Sequence, residues 1–159
     1  MLPRVTLANI MRAKVRDPRF EYVELDARHI PMPDKSYDIA YSNSVIEHVG
    51  NFSDQLAFAQ EVRRIAPRYF VQTPNKWFPI EPHFVCLGIH WLPPAVFKRV
   101  VRWLSLWGWM VKAPQTEIDK HVDSIRLLSI DEMRQLFPDA EIVRERFLLF
   151  TKSIVAIKR

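Results

Sequence analysis

One run constrains the fold of this chain more than any other. "YDIAYS" (residues 37–42) reads as a short strand with a mostly apolar centre, as in a parallel sheet covered on both faces. Ser53 reads as the cap of a helix reaching about Ala66, with Phe58, Ala59, Val62, Ile65 and Ala66 on one face. Pro67 stops that helix, and "RYFVQT" follows as a strand that ends at Pro74. Strand, helix and strand at this spacing predict a crossover between parallel neighbours, and therefore an α/β sheet.

The flanking sequence extends the pattern. "RVTLAN" and "FEYVELD" read as two earlier strands, the second set off by Pro18. "AEIVRERFLLFTKSIVAIKR" supplies two strands close enough for an antiparallel hairpin at the C-terminal end. Before it, "SIDEMRQLF" carries Ser129 and Glu132 at capping-box spacing. Between about 77 and 113 the rhythm breaks into a segment rich in Trp, Pro and Phe, with a helix expected from about Pro94 to Met110. The 159 residues therefore read as one domain with an inserted helical, lid-like segment.

Composition narrows the function. A single cysteine, Cys86, excludes an internal disulfide framework and suits a reducing compartment, so a cytoplasmic location is expected. No apolar run is long enough for a membrane-spanning helix, and the start "MLPRVTLANIMR" has no secretory h-region. The net charge of +5 comes from scattered basic residues without a zinc-ligand cluster or recognition motif, so no nucleic acid is expected as partner. Only three glycines are present, at Gly50, Gly88 and Gly108, which limits the phosphate-type loops the chain can build.

Ligands of open α/β sheets sit beyond the carboxyl ends of the strands. Asp26 and the pair Ser42–Asn43 fall at two such ends. An acid at a strand end can accept hydrogen bonds from an amine or a ribose; a solvated turn residue is the plainer reading of Asp26. Ser44 and Glu47 have the spacing of a capping box, so Glu47 reads as a cap rather than as half of a catalytic pair with His48.

The stretch "VELDARHIPMPDKSYDIAYSNSVIEHV" resembles the core of class I S-adenosylmethionine-dependent methyltransferases, in the group that includes the ubiquinone and menaquinone methyltransferases. "EVRRIAPRYFVQTPN" is similar to that family's following helix and strand, and the likeness covers about Val5 to Pro82 and returns from Leu128 to Lys158. The resemblance implies a Rossmann-like sheet, S-adenosylmethionine as cofactor, and a small or lipid-like methyl acceptor. It implies that Asp26 and Ala27 meet the adenine, that Asn9 stands where an acid usually holds the ribose, and that Ser42 and Asn43 flank the methionine part. His48 matches the family's His and is expected near the site.

The family's first strand and glycine-rich loop would precede "RVTLAN", where this chain begins. The sequence thus reads as a methyltransferase lacking its N-terminal portion. The expectations are a sheet interrupted between the first two strands and "YDIAYS", a tendency to self-associate, and little methyl transfer by this polypeptide alone. A non-catalytic, methyltransferase-like binding module is the alternative.

Past "RYFVQT", the stretch "TPNKWFPIEPHF" should overhang the same crevice, and there Glu81 and His83 are candidates to bind the acceptor or act as base, against the plainer reading of a rigid, proline-rich loop with exposed charges. Trp77, Phe78, Trp91 and Trp103 either line an apolar pocket or fill the core under the insertion, the latter being favoured. Glu117, Asp119, His121 and Asp123 alternate and would share a face only in an extended chain; acidic surface spacing explains them, and no metal site is expected. "FKRVVRWLSLWGWM" sets Lys98, Arg99, Arg102 and Ser105 opposite Trp and Leu, the pattern of a helix on a membrane surface or of a lid, with the lid favoured.

Overall fold

The computed structural model describes residues 4–11 and 17–159. The crossover unit is present. Strand β3 (Ile39–Asn43) lies parallel to β4 (Arg68–Pro74), and helix α1 (Phe52–Ile65) connects them. The helix begins two residues earlier than Ser53 would set. Asn51 is the cap, accepting from the Ser53 and Asp54 amides, while the Asp54 carboxylate accepts from the Asn51 amide. That reciprocal pair satisfies two donors that a lone Ser53 hydroxyl would leave open.

Strand β4 is central. On its other side runs β8 (Phe150–Lys158), antiparallel to it, and then β7 (Glu141–Phe147), giving the order β3–β4–β8–β7. Tyr69, Val71 and Thr73 alternate inward along β4. Tyr69 and Val71 pack with Phe58, Ala59 and Val62 of α1 and with Met133 and Leu136 of α5 (Ile130–Leu136). The Ser129–Glu132 capping box at the start of α5 is formed as the sequence predicts.

The sheet is not covered on both faces. Ile39 and Tyr41 of β3 are exposed, Tyr41 at 71%, and the face they share with Phe70 borders a cavity instead of a helix layer. The apolar centre of "YDIAYS" therefore marks one buried face and one cavity wall.

Strands β1 (Thr6–Asn9) and β2 (Glu21–Glu24) pair with each other in parallel, as a separate two-stranded sheet. Among the described residues neither is hydrogen-bonded to β3, so the expected interruption is observed. Beyond β4, a short hairpin of β5 (Ile80–Glu81) and β6 (Cys86–Leu87) leads into α2 (Pro94–Leu104), α3 (Leu106–Val111) and α4 (Gln115–Asp123). Phe84, Cys86, Phe97, Val101, Ala113 and Ile118 form a second small core under this segment. The Cys86 thiol is buried there and its pKa is pushed up to about 12, mainly by burial, which makes it an inert packing group.

Two expectations for the segment are corrected. The single helix from Pro94 to Met110 is two helices broken at Ser105, whose extended backbone lets its hydroxyl accept from the Gly108 amide. Gly108 lies so close to α2 that a Cβ there would come within 2.4 Å of the Arg102 carbonyl oxygen. Ser105 is accordingly buried and not part of a basic face. The tryptophans do not fill the core: Trp77, Trp91 and Trp103 are exposed, and Phe84, Phe97 and the half-buried Trp107 take the interior positions.

Candidate functional site

Two cavities meet at the carboxyl end of β3. The first, of about 480 Å³, is lined by Asn9, Asp26, Ala27, Ser44, His48 and Gly50, at the ends of β1 and β2 and in the turn after β3. The second, of about 850 Å³, lies on the open face of the main sheet, with Tyr41, Asn43, Ser44, Phe78, Pro82 and His83 in its wall. Ser44 borders both.

The local backbone explains the junction. Ser44 adopts a left-handed conformation, φ 52°, that turns the chain out of β3. It is pinned there because its amide donates to the Gln72 carbonyl (3.1 Å) and its hydroxyl to Gln72 Oε1 (3.1 Å). A single tight turn over Ile46–His48 follows, with no side-chain cap at its start. The Ser44–Glu47 capping box is thus not formed. Instead Glu47 points inward and is fully buried, with Oε2 accepting from the Thr73 hydroxyl at 2.9 Å. Glu47 Oε1 is buried without a hydrogen-bond partner. His48, the next residue, faces outward into the first cavity.

The second half of the junction comes from the β5–β6 hairpin. Glu81 is 2% exposed; its Oε1 accepts from His83 Nδ1 at 2.6 Å and its Oε2 from the Phe84 amide at 2.7 Å. With Nδ1–H committed to Glu81, the neutral His83 ring presents a bare Nε2 on its far side. That nitrogen lies 3.2 Å from His48 Nε2, with the two rings edge-on at 4.9 Å. Glu47, His48, His83 and Glu81 therefore form one contiguous group at the border of the two cavities. Burial raises the Glu47 carboxyl above its ordinary value, against the Thr73 hydrogen bond and the nearby histidines. Burial pulls His83 down, but the hydrogen bond and charge of Glu81, with Glu47 behind it, outweigh this and leave its pKa raised.

The other expected site residues divide. Asn9, Asp26 and Ala27 share the first cavity, and Asn43 lies in the second. Ser42 lines neither; its hydroxyl is buried without a partner. Asp26 is held by Arg28, which reaches it at 3.0 Å through Nε and 2.6 Å through Nη2, while Nη1 binds Asp54 at 2.9 Å. The Arg28 hydrogen bonds hold the Asp26 carboxyl below its usual range. Glu117, Asp119, His121 and Asp123 do not share a face, because α4 is helical; Asp123 pairs with Lys98 at 2.7 Å and His121 stacks on Trp107.

Sequence reasoning missed Arg28, Ser44 and the inward turn of Glu47. The available signal was a full capping box at Asn51–Asp54, which made a second box at Ser44–Glu47, seven residues earlier, redundant.

A parallel crossover beside a C-terminal antiparallel pair, with a cavity at the strand ends, is the Rossmann-like architecture of class I methyltransferases. Residues 4–68 match the family described as a methyltransferase domain. The PH0226 protein of Pyrococcus horikoshii OT3 superposes with a TM-score of 0.53 at 13% identity, over 97% of this chain and 70% of that one. The 1,6-didemethyltoxoflavin-N1-methyltransferase of Burkholderia thailandensis, solved with 1,6-didemethyltoxoflavin and S-adenosylhomocysteine, gives 0.52 at 11% identity, over 97% of this chain and 59% of that one. No curated protein matches the chain. The family match covers the first part of the chain, and the two superpositions show that the chain as a whole has the fold of these proteins.

Proposed function

We propose that the first cavity holds S-adenosylmethionine and that the second receives a small or lipid-like acceptor, to which the methyl group is transferred. The observation that carries this is the junction itself. Two cavities, each of ligand size, share Ser44 and meet where His48 touches His83. The residues fit the cofactor: Asn9 and Asp26 offer acceptors at two strand ends, and Ala27 offers backbone. Asp26 already accepts from the Arg28 amide, Nε and Nη2, which leaves about one lone-pair direction for an amine or hydroxyl.

Bound there, the cofactor would supply an electrophilic sulfonium methyl group to a nucleophile held in the second cavity. With its Nε2 lone pair free of any other ligand, His83 is placed to take the proton that the nucleophile loses, and Glu81 stabilises the imidazolium that results. Much of the rate comes from holding the acceptor in line, which is the task of the second cavity's wall. The segment from about 77 to 113 supplies part of that wall and is read as its lid. The calorimetric titration of this chain with S-adenosylhomocysteine tests the first cavity; absence of binding up to millimolar ligand would overturn the proposal. His83→Ala should then lower turnover and leave cofactor affinity unchanged, whereas an equal loss of both would make the hairpin structural.

The interruption between β1–β2 and β3 favours a second reading, a methyltransferase-like binding module. In that reading the chain no longer holds the cofactor by itself; a folded chain that does not bind S-adenosylhomocysteine would select it, and clean micromolar binding would exclude it.

A further inference from the structure

The geometry points to a divalent transition-metal site formed by Glu47, His48 and His83, with Glu81 as the group that orients His83. One ligand atom from each of the three lies within 4.8 Å of the others. The proposal rests on the placement of these side chains and not on the methyl-transfer reading.

Four observations converge. First, the two Nε2 atoms are 3.2 Å apart. Two imidazole nitrogens bound at about 2.0–2.1 Å to one tetrahedral ion lie roughly 3.3 Å apart, so little movement is needed to admit the ion. Second, Glu81 fixes the tautomer of His83 through a 2.6 Å bond to Nδ1, which leaves Nε2 as a lone pair facing His48. A carboxylate behind a histidine is the usual outer partner of a metal-bound imidazole. Third, the Glu47 carboxylate is fully buried and its Oε1 has no hydrogen-bond partner among the described residues. Thr73 engages only Oε2, and no cation from another part of the described chain approaches either oxygen as an ion pair. A cation beside it would give Oε1 the partner that the described residues do not supply. Fourth, Glu81 itself is satisfied at both oxygens, by His83 and by the Phe84 amide, and so is built to support and not to ligate.

The donor set fixes the class of ion. Two imidazoles and one carboxylate suit Zn²⁺ or a neighbouring first-row ion; Mg²⁺ and Ca²⁺ favour oxygen shells. Three protein ligands leave at least one position for water or an oxygen donor, at the border of the two cavities.

The test is a titration of the full chain with Co²⁺, followed by displacement with Zn²⁺, in the absence of S-adenosylmethionine. Its outcome is therefore independent of the cofactor reading. One equivalent of Co²⁺ should bring up visible d–d bands, and Zn²⁺ should abolish them while Mg²⁺ does not. His48→Ala and His83→Ala should each weaken binding by about 100-fold or more, and Glu81→Gln by about 10–100-fold with the bands retained. His121→Ala, a histidine outside the cluster, should change nothing. His48 is exposed, so its variant remains informative even if substitution at the buried Glu47 unfolds the chain. Absence of Co²⁺ bands at saturating metal would overturn the site, as would full binding by the His48→Ala/His83→Ala double variant.

Discussion

Asp139 joins two strands of the main sheet to helix α1, and its substitution gives a measurable pH signature. Its Oδ1 accepts from the buried Tyr69 hydroxyl at 2.7 Å, Lys158 Nζ binds Oδ2 at 2.9 Å, and Arg63 Nε stands 2.8 Å away as an ion pair. Burial alone would raise this carboxyl, but the Tyr69 and Lys158 hydrogen bonds and the Arg63 charge outweigh it and lower the pKa from 3.8 to about 2. That preference for the charged form corresponds to roughly 2 kcal/mol. With Asp139 30% exposed, solvent screening reduces the usable part to about 1–2 kcal/mol. A depressed carboxyl contributes its stability above the unfolded pKa and loses it as pH falls through the folded one. Asp139→Asn keeps an acceptor for Tyr69 and removes the charge. Urea denaturation at pH 7 should therefore show the variant about 1–2 kcal/mol less stable, with the gap reduced to about half near pH 3. A gap that stays constant from pH 7 to pH 3, or none at pH 7, would refute the assignment.

Asp26→Ala should weaken S-adenosylhomocysteine binding by about 1–3 kcal/mol in calorimetry, and unchanged affinity would remove Asp26 from the site. Gly108→Ala should lower the thermal midpoint, since its Cβ would press on the Arg102 backbone at 2.4 Å; a cost of about 1–3 kcal/mol is expected. The exposed Trp103, Leu104, Leu106, Trp109 and Met110, with Arg102 and Lys112 beside them, should carry the chain onto anionic vesicles in a sedimentation assay, and Trp109→Ser should reduce that binding. Arg64→Ala should speed amide exchange in Glu21–Glu24 while leaving the exchange of β4 and β8 unchanged.

The elements that could be read from sequence are those whose signals are local. Alternation along "RYFVQT", the stops at Pro67 and Pro74, and the Ser129–Glu132 box each act within a few residues, and each is found in place. What escaped depends on neighbours distant in the chain. Glu47 turns inward because the Thr73 hydroxyl, 26 residues on, donates to it, and His48 meets His83 across 35 residues. The break at Ser105 follows from the approach of Gly108 to Arg102, a contact that a helical pattern of apolar residues does not reveal. Glu81 and His83 were legible as candidates, but their partnership with Glu47 was not, since a capping spacing explained Glu47 without reference to any other segment.

The interruption of the sheet raises the question of what keeps the two walls of the first cavity in register. Without ladder hydrogen bonds between β1–β2 and β3, the connection must run through the loop after β2 and through α1. It does so by charge-assisted bonds. Arg64 donates to the Ile30 and Met32 carbonyls at 2.9 and 2.7 Å and binds both oxygens of Glu61, and Glu61 in turn accepts from the Ile30 amide at 2.7 Å. Arg28 bridges Asp26 to Asp54, which completes the capping box of α1. Ile30, Ile65 and Ala66 close a small apolar contact beneath these bonds. Such bonds are individually stronger than neutral ones but depend on two arginines, whereas a ladder distributes the same task over every residue of a strand. The helix that Asp54 caps starts four residues after Glu47–His48, so the clamp that positions Asp26 also bears on the turn carrying the metal-ligand pair. Geometry at Asp26 and geometry at His48 are therefore set by one polar hinge, and anything that loosens Arg28 or Arg64 acts on both cavities together.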